Sequence, residues 1–283
     1  MSARRRDPAE TASAASASVE DYVKAIHAHT EWHPAPITTT ALAARLGVTS
    51  ASASEMVRRL DERGLVVHRP YRPVELTEAG RVLAVAMIRR HRLLETWLAT
   101  ELAYGWDEVH DEAERLEHAV SDRFIEAIAE RLGDPDRDPH GDPIPRRDGT
   151  VPVVEATPLA DFDVDHPVRV RRVSDADPAL LRQLADLGIG PDSALTLLAD
   201  GPVGAGTGAG DAGGMRVRKD LGLKDAHADP AARKLAGRTD VRLTPAAVAA
   251  VWVVSRGEHP GCTLSPRPGH PAAERRRPVS AAD

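Results

Sequence analysis

The stretch Thr38-Thr-Thr-Ala-Leu-Ala-Ala-Arg-Leu-Gly-Val-Thr-Ser-Ala-Ser-Ala-Ser-Glu-Met-Val-Arg-Arg-Leu-Asp-Glu-Arg-Gly64 decides how the chain is read. It holds two short helical runs, Ala41–Leu46 behind a group of threonine caps and Ser50–Arg63, each closed by a glycine, Gly47 and Gly64. The tight turn at Gly47-Val48 fits the sharp bend of a helix-turn-helix, whose second helix enters the major groove of DNA. Upstream, Val19–Glu31 has a helical pattern with Tyr22, Val23 and Ile26 on one face, stopped by Pro34 and Pro36. Downstream, Leu65-Val-Val-His-Arg69, the turn Pro70-Tyr-Arg-Pro73 and Val74-Glu-Leu76 form a short hairpin. Three helices followed by a hairpin describe a winged helix-turn-helix.

The second helix of the pair starts Thr49-Ser-Ala-Ser-Ala-Ser-Glu-Met56. Small residues let a helix N-terminus approach base edges and phosphates closely, and their hydroxyls can bond either. Candidate DNA contacts are Thr49, Ser50, Ser52, Ser54 and Glu55 on this helix, with Arg58 and Arg59 one turn on. His68, Arg69, Tyr71 and Arg72 in the wing are placed for phosphates. The competing reading is a plain solvated surface, and the full order of helices and wing weighs against it.

At 283 residues, with 42% hydrophobic and 28% charged residues, the chain has the composition of a globular protein of two or three domains. Aromatics are only 3%, so Ala, Leu, Val and Ile must build the cores. No stretch approaches a membrane span, and the basic N-terminus lacks the apolar segment of a secretory signal. A single cysteine, Cys262, excludes intramolecular disulfides and multi-thiolate zinc or iron–sulfur sites. These features predict a cytoplasmic protein. The net charge of −6 argues against indiscriminate coating of nucleic acid. Residues 1–80 balance ten Lys/Arg against ten Asp/Glu, which leaves room for a sequence-specific binder.

The expected organisation is a disordered arm over 1–17, a winged helix-turn-helix over 18–80, a helical domain over 81–150, a small β domain over 155–255 and a disordered tail over 256–283. The fold class is mainly α with a small β domain. One long helix is expected from Thr77 toward Leu102 and another from about Trp106 to Leu132. Strands are read at Val168–Val173, Ser193–Leu198, Met215–Arg218, Asp240–Leu243 and Val251–Val254, with a helix at Pro178–Leu187 and a glycine-rich insertion at Gly201–Gly214.

The helical domain carries a metal-ligand pattern. His91 and Glu95, four residues apart, share one face of the first long helix. In His110-Asp-Glu-Ala-Glu-Arg-Leu-Glu-His118, the residues His110, Glu114, Glu117 and His118 fall at about 0°, 40°, −20° and 80° on a single helix. Carboxylates three residues apart repel, and a divalent cation would relieve that repulsion. Such a stripe by itself is more often a solvated polar face, and the second helix with His and Glu is what brings the metal reading level with it. Oxygen and imidazole donors without sulfur suit Mn(II) or Fe(II), although zinc would also bind.

Taken together, Val19-Glu-Asp-Tyr22, the winged helix, Arg90-His-Arg-Leu-Leu-Glu95, His110–Asp122 and Gly141-Asp-Pro-Ile-Pro145 resemble the DtxR/MntR family of metal-dependent transcriptional repressors. The resemblance covers about residues 19–145, and 155–255 is more loosely similar to the family's SH3-like, FeoA-type barrel. It implies a homodimer that binds a palindromic double-stranded operator, most often to repress metal-uptake genes, with no membrane association and no enzymatic activity. It implies a primary metal site of Asp21, Glu114, Glu117 and His118. It also implies an ancillary site of His91, Glu95 and His110, completed by Asp175 or Asp177. Iron-responsive members carry Met and Cys where this chain has Asp21 and Glu114, so the resemblance points to the manganese branch. Some manganese members have a second glutamate three residues after the aspartate, and here that residue is Lys24, which favours two separated sites over a closely spaced pair. Glu55 stands where some relatives have Gln, which bears on operator choice. The dimer seam is expected among Leu94, Trp97, Leu98, Leu116, Val120 and Phe124, with part of this set serving as plain core.

Three rivals remain at this level: an Fe(II)-responsive repressor of the same fold, a di-metal carboxylate metalloenzyme, and a winged-helix regulator that senses an organic ligand. Di-iron bundles need Glu-x-x-His on two helices, and the stripe has only His91-x-x-x-Glu95 and Glu114-x-x-x-His118.

Overall fold

The computed structural model describes residues 8–32, 35–69, 72–162, 164–198, 214–220 and 239–256. Tyr71, most of the glycine-rich insertion, Cys262 and the tail beyond 256 lie outside the described residues. The chain forms two compact units, one made of residues 1–103, 111–138 and 143–152, the other of 104–110, 139–142 and 153–283.

The first unit begins with α1 (Pro8–Trp32), α2 (Thr39–Arg45) and α3 (Ser50–Glu62), then the wing strands β1 (Val66–Val67) and β2 (Glu75–Leu76). Helix α1 starts well before Val19, so the arm expected over 1–17 is helical from Pro8. Half of residues 8–17 are alanine, the strongest helix former, with proline at the first helical position, so the segment can extend the helix that continues from Val19. Thr38 caps α2 by accepting from Ala41 N (3.2 Å), and Thr49 caps α3 by accepting from Ser52 N (3.1 Å). Val23, Ile26, Leu42, Val57, Leu60 and Val74 close a fully buried core between these helices and the wing.

Helix α4 (Glu78–Leu102) packs along α1, and Arg92 ties the two by donating to Glu31 Oε2 at 2.7 Å. Its first turn is locked beneath the wing. Thr77 N donates to Leu65 O (3.0 Å) and Thr77 Oγ1 to Gly64 O (2.7 Å), while a Cβ on Gly80 would stand 1.9 Å from Leu65 O. Gly80→Ala is therefore expected to cost about 1–3 kcal/mol through overpacking. A urea melt with an unchanged midpoint would remove this account of the wing's attachment.

The second long helix expected over Trp106–Leu132 is two helices, α5 (Val109–Leu116) and α6 (Asp122–Leu132). The interruption has local causes. Ser121 caps α6 with its hydroxyl toward Phe124 N (3.3 Å). The Arg90 guanidinium donates to the carbonyl oxygens of Glu117 (3.1 Å) and Val120, which α5 leaves without helical partners. Glu117 and His118 thus sit on the turn after α5, not on the single helical stripe that the 3.6-residue period suggests.

In the second unit an antiparallel six-stranded sheet has the order β3-β8-β4-β5-β6-β7. Its strands are β3 (Thr157–Pro158), β4 (Pro167–Val173), β5 (Ala194–Leu198), β6 (Met215–Asp220), β7 (Thr239–Leu243) and β8 (Val251–Ser255). Helices α7 (Pro178–Asp186) and α8 (Pro245–Ala249) supply Leu181, Leu184, Ala247 and Val248 to a core with Val168, Val170, Leu195, Leu197, Val217 and Val253. The register of β4 against β8 shifts between Val170 and Arg172, a bulge of the kind that bends small sheets. The architecture matches the expected class: helical N-terminal domains followed by a small antiparallel sheet domain of SH3-like type. The two short elements β3 and α8 carry no periodic signal long enough to read from sequence.

Candidate metal centre and DNA-facing helix

Glu20, Asp21 and Lys24 occupy one face of α1, as spacings of three and four residues require. They meet the turn after α5. His118 Nε2 lies 2.7 Å from Asp21 Oδ1, and its Nδ1 lies 2.8 Å from Glu20 Oε2. Lys24 Nζ donates to Glu114 Oε1 at 2.6 Å and to Glu117 Oε1. From α4, His91 Nδ1 donates to Glu117 Oε2 at 2.6 Å and Nε2 to Glu95 Oε1 at 2.9 Å. Glu117 is the hub: it has no exposed surface and takes hydrogen bonds from both Lys24 and His91.

The proton affinities follow from this packing. Burial works against charge on His91, yet the Glu95 charge and the hydrogen bonds His91 donates to both carboxylates outweigh it and raise its pKa to about 9. Burial pushes the Glu117 carboxyl up, but His91 and Lys24 together hold it below its ordinary value. His118 is raised against burial by Glu20 and Asp21. Asp21 is raised, because burial exceeds the pull of His118 and Lys24.

Of the expected primary set, Asp21, Glu117 and His118 offer donor atoms all within 4.8 Å of one another. Glu114 joins them through Lys24 and lies 4.0 Å from His91 Nδ1. His91, expected in a separate ancillary site, bonds directly to Glu117. Within the first unit the two expected sites are thus one continuous series: Glu20 and Asp21, His118, Glu117, His91, Glu95. In the second unit His110 Nδ1 is 3.3 Å from Asp175 Oδ2. Burial pushes the Asp175 carboxyl up, but the hydrogen bond and charge of His110 hold it well below the usual range. Asp177 does something else: it caps α7, accepting from Ala179 N (2.9 Å) and Leu180 N (3.3 Å).

Sequence reasoning missed three residues. Glu20 orients His118, and the only sequence hint is its place beside Asp21. Lys24 bridges Glu114 and Glu117, although the sequence suggested only a missing ligand. His140 is buried, hydrogen-bonds the Trp106 carbonyl at 2.6 Å and stacks on that indole at 6.0 Å between centroids. The histidine of a proline-rich loop gives no periodic signal.

The N-terminus of α3 is exposed at Ser50, Ser52 and Ser54. Glu55 accepts from Arg58 (2.8 Å) and Arg59 (3.2 Å), and these bonds hold its carboxyl below its ordinary range. Arg58 also pairs with Glu62. Such exposed pairs are weak in water, so a phosphate can replace the carboxylate partner. Arg69 and Arg72 are exposed in the wing. Of the residues expected at a dimer seam, Leu94 and Leu98 are buried inside the chain as core. Trp97, Leu116 and Val120 are half-buried, while Phe124 is exposed and packs edge to face on Trp97 at 5.8 Å.

A winged helix-turn-helix joined to a carboxylate–imidazole cluster defines a class of metal-dependent transcriptional regulators. The comparisons with known proteins agree. Residues 15–74 match the iron-dependent repressor N-terminal DNA-binding domain, 77–146 the iron-dependent repressor metal-binding and dimerisation domain, and 157–208 the FeoA domain. The iron-dependent repressor IdeR of Mycobacterium tuberculosis is 32% identical over 195 residues, covering 64% of this chain and 83% of that protein. A solved manganese-dependent transcriptional repressor in complex with manganese is 45% identical with a TM-score of 0.72, covering 84% of this chain and 99% of that one. The solved manganese regulator SloR is 28% identical with a TM-score of 0.64, covering 84% and 98%. The chain belongs to the DtxR/IdeR family of metal-dependent transcriptional repressors, with a C-terminal FeoA domain. Its relatives are repressors and not enzymes, which sets the metalloenzyme rival aside. DNA and a second copy of the chain are its partners, and among the described residues no helix is long and apolar enough to cross a membrane.

Proposed function

We propose that the protein is a cytoplasmic, Mn(II)-responsive repressor of metal-uptake genes, acting as a homodimer on a palindromic operator. The donor chemistry carries this reading. Asp21, Glu117 and His118 converge within 4.8 Å with oxygen and imidazole atoms only, a set that fits a hard divalent cation. Glu114 completes the primary ligand set, and His91 and Glu95 extend it along α4. His110 and Asp175 form a second imidazole–carboxylate pair. Asp21, Glu114, Glu117 and His118 would hold a Mn(II) ion, which would supply the positive charge that offsets these carboxylates.

The chain's own residues do the rest. Asp21 belongs to α1, which packs on the DNA-reading helices, while Glu117 and His118 belong to the dimerisation segment. Ligands drawn from both couple the reading head to the dimer, so the spacing of the two recognition helices depends on the site. By linkage, DNA must tighten metal binding by the same factor that metal tightens DNA binding. Thr49, Ser50, Ser52, Ser54 and Glu55 face base edges and phosphates. Arg58, Arg59, Arg69, Tyr71 and Arg72 hold phosphates. Trp97, Leu116, Val120 and Phe124 contribute to the seam between copies.

Fe(II) is the second reading, favoured by the likeness to the iron-dependent repressor IdeR. The test is selection of genomic DNA fragments by purified protein in chelator, then with Mn(II) or Fe(II) added. Fragments retained only with Mn(II), upstream of metal-transport genes, are the expected result. Equal retention in chelator would sink metal gating and leave a regulator of another kind.

A further inference from the structure

The ammonium of Lys24 occupies the carboxylate oxygens that a divalent cation would need. Its Nζ sits 2.6 Å from Glu114 Oε1 and hydrogen-bonds Glu117 Oε1 as well. The Lys24 side chain is 12% exposed and that of Glu117 is not exposed at all, so water competes weakly for the Glu117 half of the bridge, while Glu114, 38% exposed, holds the outer half. We propose that Lys24 is a tethered internal competitor for the metal, setting the cation concentration at which the repressor responds. This rests on the metal-site reading above.

The physical case is one of like charges and shared oxygens. An ammonium is a compact point charge with three donors and no acceptor, so it can bridge two carboxylates but cannot ligate a cation. Glu114 in the last turn of α5 and Glu117 just after it, three residues apart, would repel if unpartnered. Lys24 removes that repulsion in the metal-free chain. A divalent ion near the same oxygens meets a positive charge at close range, and the site becomes competent only when the four-carbon stem carries the ammonium away. Apparent affinity then falls by the fraction of molecules in which Lys24 has withdrawn. Because Lys24 sits one turn from Asp21 on α1, withdrawal frees the oxygens without moving the helix that carries the ligand. The same bridge links α1 to α5 before any metal binds, so metal exchanges one link for a stronger one.

The experiment is Mn(II) titration of the full chain, followed by the electron paramagnetic resonance signal of free Mn(II), for wild type, Lys24→Met, Lys24→Gln and Lys24→Arg. Urea melts of each are recorded in chelator. Lys24→Met should bind Mn(II) at least about tenfold more tightly, a change of about 1.4 kcal/mol, while its metal-free melting midpoint falls. Lys24→Gln keeps hydrogen-bond donors without charge and should follow Lys24→Met if that variant folds poorly without metal. Lys24→Arg retains the cation and should stay near wild type. Equal or weaker Mn(II) binding by both neutral variants would overturn the competitor role. Absence of Mn(II) binding by wild type would instead overturn the metal-site reading beneath it.

Discussion

Glu117→Gln should abolish metal-dependent DNA retention and weaken Mn(II) binding by about 100-fold or more, roughly 2.7 kcal/mol. The size follows from where Glu117 sits. It is fully buried, one oxygen takes the Lys24 ammonium and the other takes His91 Nδ1 at 2.6 Å. A glutamine is nearly isosteric but neutral, so two buried cations lose their shared counter-charge at once. Removing one partner of a buried pair costs about 3–5 kcal/mol, and that cost should appear in the metal-free protein as a lower urea midpoint. The two losses are separable. Stability is read in chelator, affinity by Mn(II) titration and function by operator retention at saturating Mn(II). A Glu117→Gln protein that melts at a lower urea concentration but keeps the wild-type Mn(II) response would place Glu117 in the scaffold and remove it from the ligand set.

The same residue marks what the sequence makes legible. The helix-turn-helix could be read because its two glycines, its capping threonines and the periodicity between them are local signals, and the structure returns caps at Thr38 and Thr49. The strands of the second unit were legible for the same reason, since alternation over five or six residues is a short-range pattern. The residue types of the carboxylate–imidazole cluster were legible too. Their arrangement was not. Period arithmetic places Glu114, Glu117 and His118 on one helical stripe, but α5 ends at Leu116 because Arg90, far away in sequence, takes the carbonyls of Glu117 and Val120. The break turns Glu117 toward both α1 and α4, and so joins His91 to the set that a wheel diagram keeps apart. Lys24 illustrates the same limit. Read as a position, it is a carboxylate that is not there; in three dimensions it is a cation already seated on two carboxylates. The choice between Asp175 and Asp177 likewise needed coordinates, because both precede α7 and only one serves as its cap.

Acidity gives the second large effect. In the folded, metal-free chain the His91 pKa is raised to about 9 from its ordinary value of 6.5, since Glu95 and Glu117 together overcome burial. The folded state therefore holds this proton more tightly than the unfolded state. The stabilisation is complete below pH 6.5 and is lost as pH rises through about 9. The metal-free protein should lose about 3 kcal/mol of stability across that window. Raised proton affinity at His118 adds in the same direction. Metal binding should move the opposite way. An imidazole ligates only when neutral, so each ligating histidine that starts protonated must release its proton. Mn(II) affinity should then climb about tenfold per pH unit for each proton released. Stability of the chelated protein by urea melts from pH 6 to 9, with anaerobic Mn(II) titrations over the lower part of that range, reads both trends. His91→Gln should flatten much of the first. A chelated wild-type protein of constant stability between pH 6.5 and 9 would mean that His91 is neutral in the folded chain. The Glu95–His91–Glu117 series would then already be in its ligating form, and Mn(II) affinity would owe no pH dependence to it.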